Sequence, residues 1–459
     1  MKTSKTAVSA AIAIVVLVVV AVAVRRGMNY KDHFQAAKSN EVSTAGTPST
    51  PADARIRAAE AMIKQAGDKP DGHNLLTSAY MQKARETGDF TLNARADAAL
   101  SRALEIDRDN YDALKLKAKL LLTYHRFREG LDLARRAQSI RPTDHEVYGA
   151  LTDALVELGE YPAAIEAAQK MVDLRPDASS YARIAYLRSL HGDTEGAIAA
   201  MQVAVKSSNP KDPEAVAWSR VHLGLELANA GKWDEAEREF DKALLTFPGH
   251  PLALDAKARS RIAAGDLTTA IQIYEGAQSN SPSADGALAL GDLYAHLGRL
   301  NEANKQYEMF ESLERANVVT ENSWHHMVNY WLDHDKNLGA ALEHAQREYE
   351  SRKDLFTCDT FAWALFKNGR LPEAKRVMKE ALRTATRDAR LLYHSGMIAN
   401  ALGERRDAAK DLQLALKLNP VFNLHQATIA RNTLESLFAS RTNQTSSANR
   451  TSQLNKPKY

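Results

Sequence analysis

Four anchor residues recur along this chain at fixed spacing, and that repetition limits the fold more than any other feature. Gly159, Ala164, Met171 and Pro176 are separated by 5, 7 and 5 residues. The same intervals separate Gly231, Ala236, Ala243 and Pro248, then Gly265, Ala270, Ala277 and Pro282, then Gly403, Ala408, Ala415 and Pro420. Successive glycines Gly159, Gly192, Gly231, Gly265 and Gly298 lie 33, 39, 34 and 33 apart, and Gly369 and Gly403 lie 34 apart. A period near 34 marks a helical solenoid. Such a fold offers a long surface to a partner rather than a catalytic cleft.

The clearest copy is residues 217–250. Leu223, Leu227, Trp233, Phe240, Ala243 and Leu244 fall at helical spacing on two short helices. Gly231 permits the reversal between them. Gly224 and Ala236 are small enough to let the helices approach closely, and Pro248 stops the second helix. One such hairpin cannot cover its own apolar face, so neighbours must stack on it.

These residues give the chain its likeness to a known family. Gly224, Gly231, Trp233, Ala236, Phe240, Ala243 and Pro248 resemble the signature of the tetratricopeptide repeat. The glycine frame gives about ten units between residues 77 and 422. The resemblance implies an all-α, right-handed superhelical solenoid of hairpins. Three units depart from the pattern. His125 replaces the turn glycine in 111–144, with Gly130 in the alanine slot; Asp335 replaces it in 321–354; and 77–110 has a longer turn, TGDFTLNA. The C-terminal stretch from Cys358 through Phe422 resembles a segment common in bacterial repeat proteins of unassigned role. That likeness implies a bacterial origin and no activity.

Composition is ordinary for a helical protein, with 44% hydrophobic and 7% aromatic residues. The net charge of +3 is unevenly placed. Residues 1–31 carry five bases and no acid, and residues 441–459 carry four bases and no acid; subtracting both leaves −6 for the body. An acidic body repels phosphate, so no nucleic-acid partner is expected. Cys358 is the only cysteine, which excludes an intramolecular disulfide. It occupies a packing slot eleven residues before Gly369, where a buried thiol is expected rather than a redox sensor.

The ends differ from the body. Residues 7–24, AVSAAIAIVVLVVVAVAV, carry no charge, and eighteen residues at helical rise span about 27 Å, near the thickness of a bilayer core. One reading is a retained single-pass anchor. The other is a cleaved signal peptide ending at Ala21-Val22-Ala23. The length of the run and the adjacent Arg25-Arg26 favour the anchor. The flanking positive charges nearly balance, and the short N-terminus favours an inside start with the repeats in the periplasm. Residues 25–52 read as a linker; SNEVSTAGTPSTPA within it reaches roughly 20 Å. A helix is expected at about 53–66, with Pro51 near its first turn. The solenoid proper covers 53–440, closed by a capping helix at about 424–439. Residues 441–459 are polar and read as a disordered tail.

No HExxH, CxxC, GxSxG or phosphate-loop pattern is present, so neither a catalytic residue nor a cofactor is assigned. His326, Tyr330 and His334 share a helix face, but histidines eight apart lie about 12 Å apart along the axis, too far to hold one metal. No metal site is expected. The family resemblance places the first helix of each unit on the concave face. Counting 13, 10, 6 and 3 residues back from each turn gives the inner slots. They hold Asp285, Leu288, Asp292 and Ala295, then Asn322, His325, Asn329 and Leu332, then Phe356, Asp359, Trp363 and Phe366, then Arg390, Tyr393, Met397 and Asn400. From these His325, Asn329, Phe356, Asp359, Trp363, Arg390, Tyr393, Met397 and Asn400 form the candidate partner-binding set, because aromatics beside polar groups suit an interface. The alternative is that Trp363 and Phe366 simply pack on the neighbouring unit. Some family members grip an acidic chaperone tail with inner-helix Lys and Asn. Here Lys115 and Lys119 are followed by Glu146 and Asp153, which do not form that clamp. The function expected is a non-catalytic, membrane-attached scaffold or assembly factor binding a protein or extended peptide. The alternative is an envelope chaperone that holds unfolded or secreted clients.

Overall fold

The computed structural model describes residues 50–317 and 324–454, of which 317 and 440–454 are described as backbone alone. The chain divides into two units at Thr50/Pro51. The candidate anchor at 7–24 and nearly all of the linker lie outside the described residues. Among the described residues no helix is long and apolar enough to cross a membrane, and there is no strand.

Among the described residues, twenty helices pair into ten hairpins between two flanking helices, α1 (Pro51–Ala66) and α22 (Leu424–Leu454). The first five hairpins are α2–α3 (Pro70–Thr87, Leu92–Ile106), α4–α5 (Tyr111–Thr123, Phe127–Ile140), α6–α7 (His145–Glu157, Tyr161–Leu174), α8–α9 (Ala178–Leu190, Thr194–Ser207) and α10–α11 (Pro213–Asn229, Trp233–Thr246). The second five are α12–α13 (Pro251–Ala263, Leu267–Asn280), α14–α15 (Ala284–His296, Leu300–Asn317), α16–α17 (His325–Asp333, Leu338–Ser351), α18–α19 (Leu355–Lys367, Leu371–Ala381) and α20–α21 (Ala389–Ala401, Arg405–Leu418).

Each hairpin follows from its sequence. The turn residue takes a left-handed conformation, φ +76° at Gly231 for instance. The next amide then bonds five residues back, Lys232 N to Leu227 O at 2.8 Å, which satisfies an end carbonyl of the first helix. The two departures from glycine keep the same geometry. His125 sits at φ +58° and Asp335 at φ +54°, with the same bonds from Arg126 N to Leu121 O and from Lys336 N to Trp331 O. Both belong to the residue types that tolerate this region best. Across the hairpin, Ala236, Phe240 and Ala243 are buried. A Cβ at Gly224 would land on the Phe240 ring at well under 3.0 Å, so the glycine there serves close helix packing. Asp177, Asp212, Asp266, Asp354 and Asp388 cap the helices they precede by accepting from first-turn amides.

The last helix runs past residue 440, where a disordered tail was expected, and continues as helical backbone to Leu454. Extending an existing helix avoids the cost of nucleating one. At its other end, Leu424 packs against the core formed by α12 to α16.

The solenoid also closes on itself. Glu157 pairs with Arg352, 195 residues later. Tyr161 Oη accepts from Leu355 N at 2.9 Å across 194 residues. Thr384 Oγ1 donates to Leu190 O and Ser281 Oγ donates to Thr87 O, each across 194 residues. Arg383 reaches both Gly159 O and Lys353 O. One superhelical turn is therefore complete in 194 residues, about 5.7 repeats. Because that number falls between integers, the turns inside early hairpins meet the loops between later hairpins. One continuous core joins α4–α8 to α16–α22 across this seam.

Candidate binding groove

The inner helices enclose a cavity of about 890 Å³. Arg259 and Ile262 of α12 line it, with Asp285, Leu288, Asp292 and Ala295 of α14. Asn329, Tyr330 and Asp333 of α16, with His334 just after it, form another wall, and Arg390 of α20 a further one. The α21–α22 loop and the start of α22, residues 419–428, close the end. Gln426 Nε2 donates to Asp333 Oδ1 at 2.8 Å and fixes that closure.

The charges in the wall are largely paired. Arg259 bonds Asp255 at 2.8 Å. Arg390 Nη2 donates to Asn329 Oδ1 at 2.6 Å, and Thr360 Oγ1 donates to the same oxygen. Asp292 accepts from Tyr307 Oη at 2.9 Å and from His334 Nε2 at 3.0 Å. His334 Nδ1 faces the Tyr330 carbonyl at 2.9 Å. Both ring nitrogens of His334 therefore face oxygen atoms that accept, an arrangement that favours the imidazolium over the neutral ring. Burial opposes that charge, but Asp292 and the carbonyl prevail and raise the pKa. His326, at the rim, is held up to about 9 by Glu314, with Asp285 adding to the effect. The lining is mixed in charge, with aliphatic and aromatic surface between polar groups.

The structure divides the nine candidate residues. Asn329 and Arg390 line the cavity. Phe356 is exposed, while Met397 and Asn400 are half-buried, Met397 with Sδ accepting from Thr433 Oγ1 at 3.8 Å. His325 turns to the seam, 3.3 Å from Glu348. Three are corrected: Trp363 and Tyr393 are each 2% exposed and Asp359 is 1% exposed, so none can meet a partner without unpacking the core. His394 stacks on Trp363 at 4.1 Å and donates from Nδ1 to Asp359 at 2.8 Å. Phe422, from the α21–α22 loop, covers Tyr393 at 5.4 Å. The last hairpin and its capping helix fold over the slots that would otherwise be open. The Asp359–His394 pair has the form of a catalytic base but is enclosed and out of substrate's reach.

The same inner slots in other hairpins are more open. Tyr186, six before Gly192, and Leu252, thirteen before Gly265, are exposed, and Trp218, thirteen before Gly231, is half-buried. The same slot count finds them, but they belong to hairpins outside the last units. Asp333 and Gln426 could not be found that way, because nothing in the repeat frame brings α22 back to α16. His326, Tyr330 and His334 do share a face; Tyr330 packs among Tyr307, Phe310 and His334. Among the described residues no cluster of metal-binding type occurs. Cys358 is fully buried, and burial pushes its thiol up to about 12, which leaves it unreactive.

Stacked helical hairpins around a cavity of mixed lining define a helical-repeat solenoid, an architecture that typically serves protein interaction. The tetratricopeptide repeat profile matches residues 150–215, 222–285, 256–309 and 360–433, and the chain is a tetratricopeptide-repeat protein. No match is found among curated proteins. Solved structures with a similar chain path include human IFIT1 with m7Gppp-AAAA, at 15% identity over 72% of this chain and 77% of that one, with TM-score 0.46. Pseudomonas aeruginosa PilF is 19% identical over 46% of this chain and 91% of its own, with TM-score 0.35. PilW, described as a type IV pilus biogenesis factor, is 18% identical over 44% and 92%, with TM-score 0.37.

Proposed function

We infer that this protein is a non-catalytic scaffold or assembly factor of the bacterial envelope that holds an extended segment of another protein in its inner groove. The observation that carries this reading is the cavity of about 890 Å³ built from inner helices of successive repeats. A groove of that size fits a few residues of extended chain, with apolar surface for side chains and paired polar groups for the backbone. The uncharged run at 7–24 supports attachment to the membrane, with the repeats on the periplasmic side. The −6 charge of the body favours protein over nucleic acid. The second reading, an envelope chaperone, is favoured by the exposed Tyr186 and Leu252, which suit varied apolar clients.

The test is affinity purification from detergent-solubilised membranes, comparing wild type with Leu288→Ala and Asn329→Ala, both at residues that line the cavity. A defined protein partner, lost or weakened ~5- to 100-fold in the variants while melting temperature is kept, supports the scaffold. Many unrelated unfolded clients point to the chaperone. Co-purified RNA, or capture untouched by both variants, rejects the groove as a protein-binding site.

A further inference from the structure

The −6 charge of the body is unevenly shared: residues 32–350 sum to −12 and residues 351–440 to +6. Much of the excess lies on the outward side of the last two hairpins. Positions 7, 10 and 14 residues after a turn glycine are three and four apart, so they share one face of the second helix. After Gly159 they hold Glu166, Gln169 and Asp173, after Gly231 Arg238, Asp241 and Leu245, and after Gly265 Gln272, Glu275 and Ser279, all exposed. After Gly369 they hold Arg376, Lys379 and Arg383, and after Gly403 Lys410, Gln413 and Lys417, again all exposed. Arg387 and Arg406, also exposed, extend the two rows.

Packing brings the two rows together. Ala374, Val377 and Met378 of α19 and Ala408, Leu412 and Ala415 of α21 are buried, which turns both rows outward. Lys375 of α19 pairs with Glu404 at the start of α21, and Arg405 donates to Leu437 O of α22 at 3.1 Å. The three helices therefore follow one another along this face. Residues 441–459, into which α22 runs, add four bases and no acid. The local acids do not neutralise the face. Glu373 pairs with Arg370, Glu380 lies 3.8 Å from Arg376 and accepts from Tyr349, and Asp411 accepts from Ser395 at 2.7 Å. Among the described residues, Lys379, Arg387, Arg406, Lys410 and Lys417 are left without an ion pair, against one unpaired acid, Asp407.

We propose that the outer face of α19 and α21 docks on an anionic phospholipid surface and holds the end of the solenoid against a membrane. The run at 7–24 as an anchor rests on the reading above; the basic face does not. That run, and a linker whose polar stretch alone reaches roughly 20 Å, favour a membrane as the nearby surface. The chemistry of the face favours headgroups as well. Unpaired Lys and Arg side chains on an outward row offer mobile positive charge and no shaped pocket. Such a row suits a fluid array of phosphates better than the fixed side chains of a protein. Each base near an anionic leaflet raises the contact equilibrium about fivefold, and salt screens the effect.

The experiment reconstitutes the full chain with a dye on Gln413→Cys, an uncharged exposed position within the basic row. Cys358 is buried and stays unlabelled. The vesicles carry a headgroup-bound quencher and are either neutral phosphatidylcholine or phosphatidylcholine with about one-third phosphatidylglycerol. Several-fold stronger quenching on the anionic vesicles is expected, and its loss in about 0.5 M salt. Lys379→Gln, Arg387→Gln, Lys410→Gln and Lys417→Gln combined should abolish the difference with the melting temperature unchanged, because none of the four has an ion pair to lose. Equal quenching on both vesicles overturns the proposal, as does a difference that survives the four substitutions. Quenching that follows protein concentration and not lipid charge assigns the face to a second copy and also overturns it. Flotation addresses the anchor separately. A chain that floats with anionic vesicles and not with neutral ones rejects the anchor and leaves the face standing. One that floats with both while the dye ignores lipid charge keeps the anchor and rejects the face.

Discussion

Gly159 and Gly265 occupy the same place in their hairpins, with φ +76° and +79°, yet they do different work. Around Gly265 a Cβ would meet nothing within 4 Å. At Gly159 it would fall on the Lys353 carbonyl, 194 residues away in sequence, at well under 3.0 Å, and Gly192 meets Ala385 in the same way. At Gly265 the residue answers only to its own backbone. At Gly159 it also answers to the next turn of the superhelix. The repeat thus places two demands on one residue type, and only one of them is local.

The largest expected effect lies in the seam. Arg352→Met should cost about 3–5 kcal/mol of unfolding free energy, because it strands carboxylates in an enclosed site. Arg259→Met, whose side chain is 58% exposed beside Asp255, should cost less than about 1 kcal/mol. Urea unfolding of both variants checks the contrast, and equal costs would remove the distinction between seam and open repeat. Trp363→Ala should cost about 3–5 kcal/mol as a core truncation, whereas Phe356→Ala, at an exposed inner slot, should be nearly neutral in thermal unfolding.

The glycines offer a finer comparison. Asparagine tolerates the left-handed conformation, so Gly265→Asn should cost about 1 kcal/mol or less. Gly159→Asn should cost about 1–3 kcal/mol more, since its side chain has no room. Parallel melting curves test this, and matched curves would mean that the turns separate easily.

The smallest effect is electrostatic. His334 has a raised pKa, so its contribution to stability is present below the ordinary histidine value and is lost as pH rises through the folded one. Asp292→Asn should lower the His334 pKa, as read by NMR titration of the imidazole, and should flatten stability over that range. Glu348 behaves oppositely. Burial would raise it, but His325 and Arg352 hold it down to about 2. Its contribution is present above the ordinary glutamate value near 4.5 and is lost as pH falls towards 2.

Much of the fold is legible in the chain. The intervals 5, 7 and 5 place the turn, the close-packing alanines and the helix stop, and each depends on residues fewer than twenty positions apart. Even His125 and Asp335 keep the turn, because the left-handed position needs only a tolerant residue. The groove was legible in part. Asn329, Arg390, Asp285 and Asp292 stand where the slot count puts them. Trp363 and Tyr393 occupy equivalent slots and are buried, because His394 and Phe422 cover them. Slot counting reports which side of its own helix a residue occupies, and says nothing of what later folds over that side.

The sequence by itself determined the hairpin, its period, its turn geometry and the two helices that flank the stack. Local hydrogen bonding and apolar spacing decide these, and both repeat with the residues. Only the tertiary structure decided that 194 residues complete a turn, that Glu157 meets Arg352, and that α22 closes the groove. Each depends on small rotations between neighbouring hairpins, summed over about six units. No single repeat contains that sum, so no motif could have announced it.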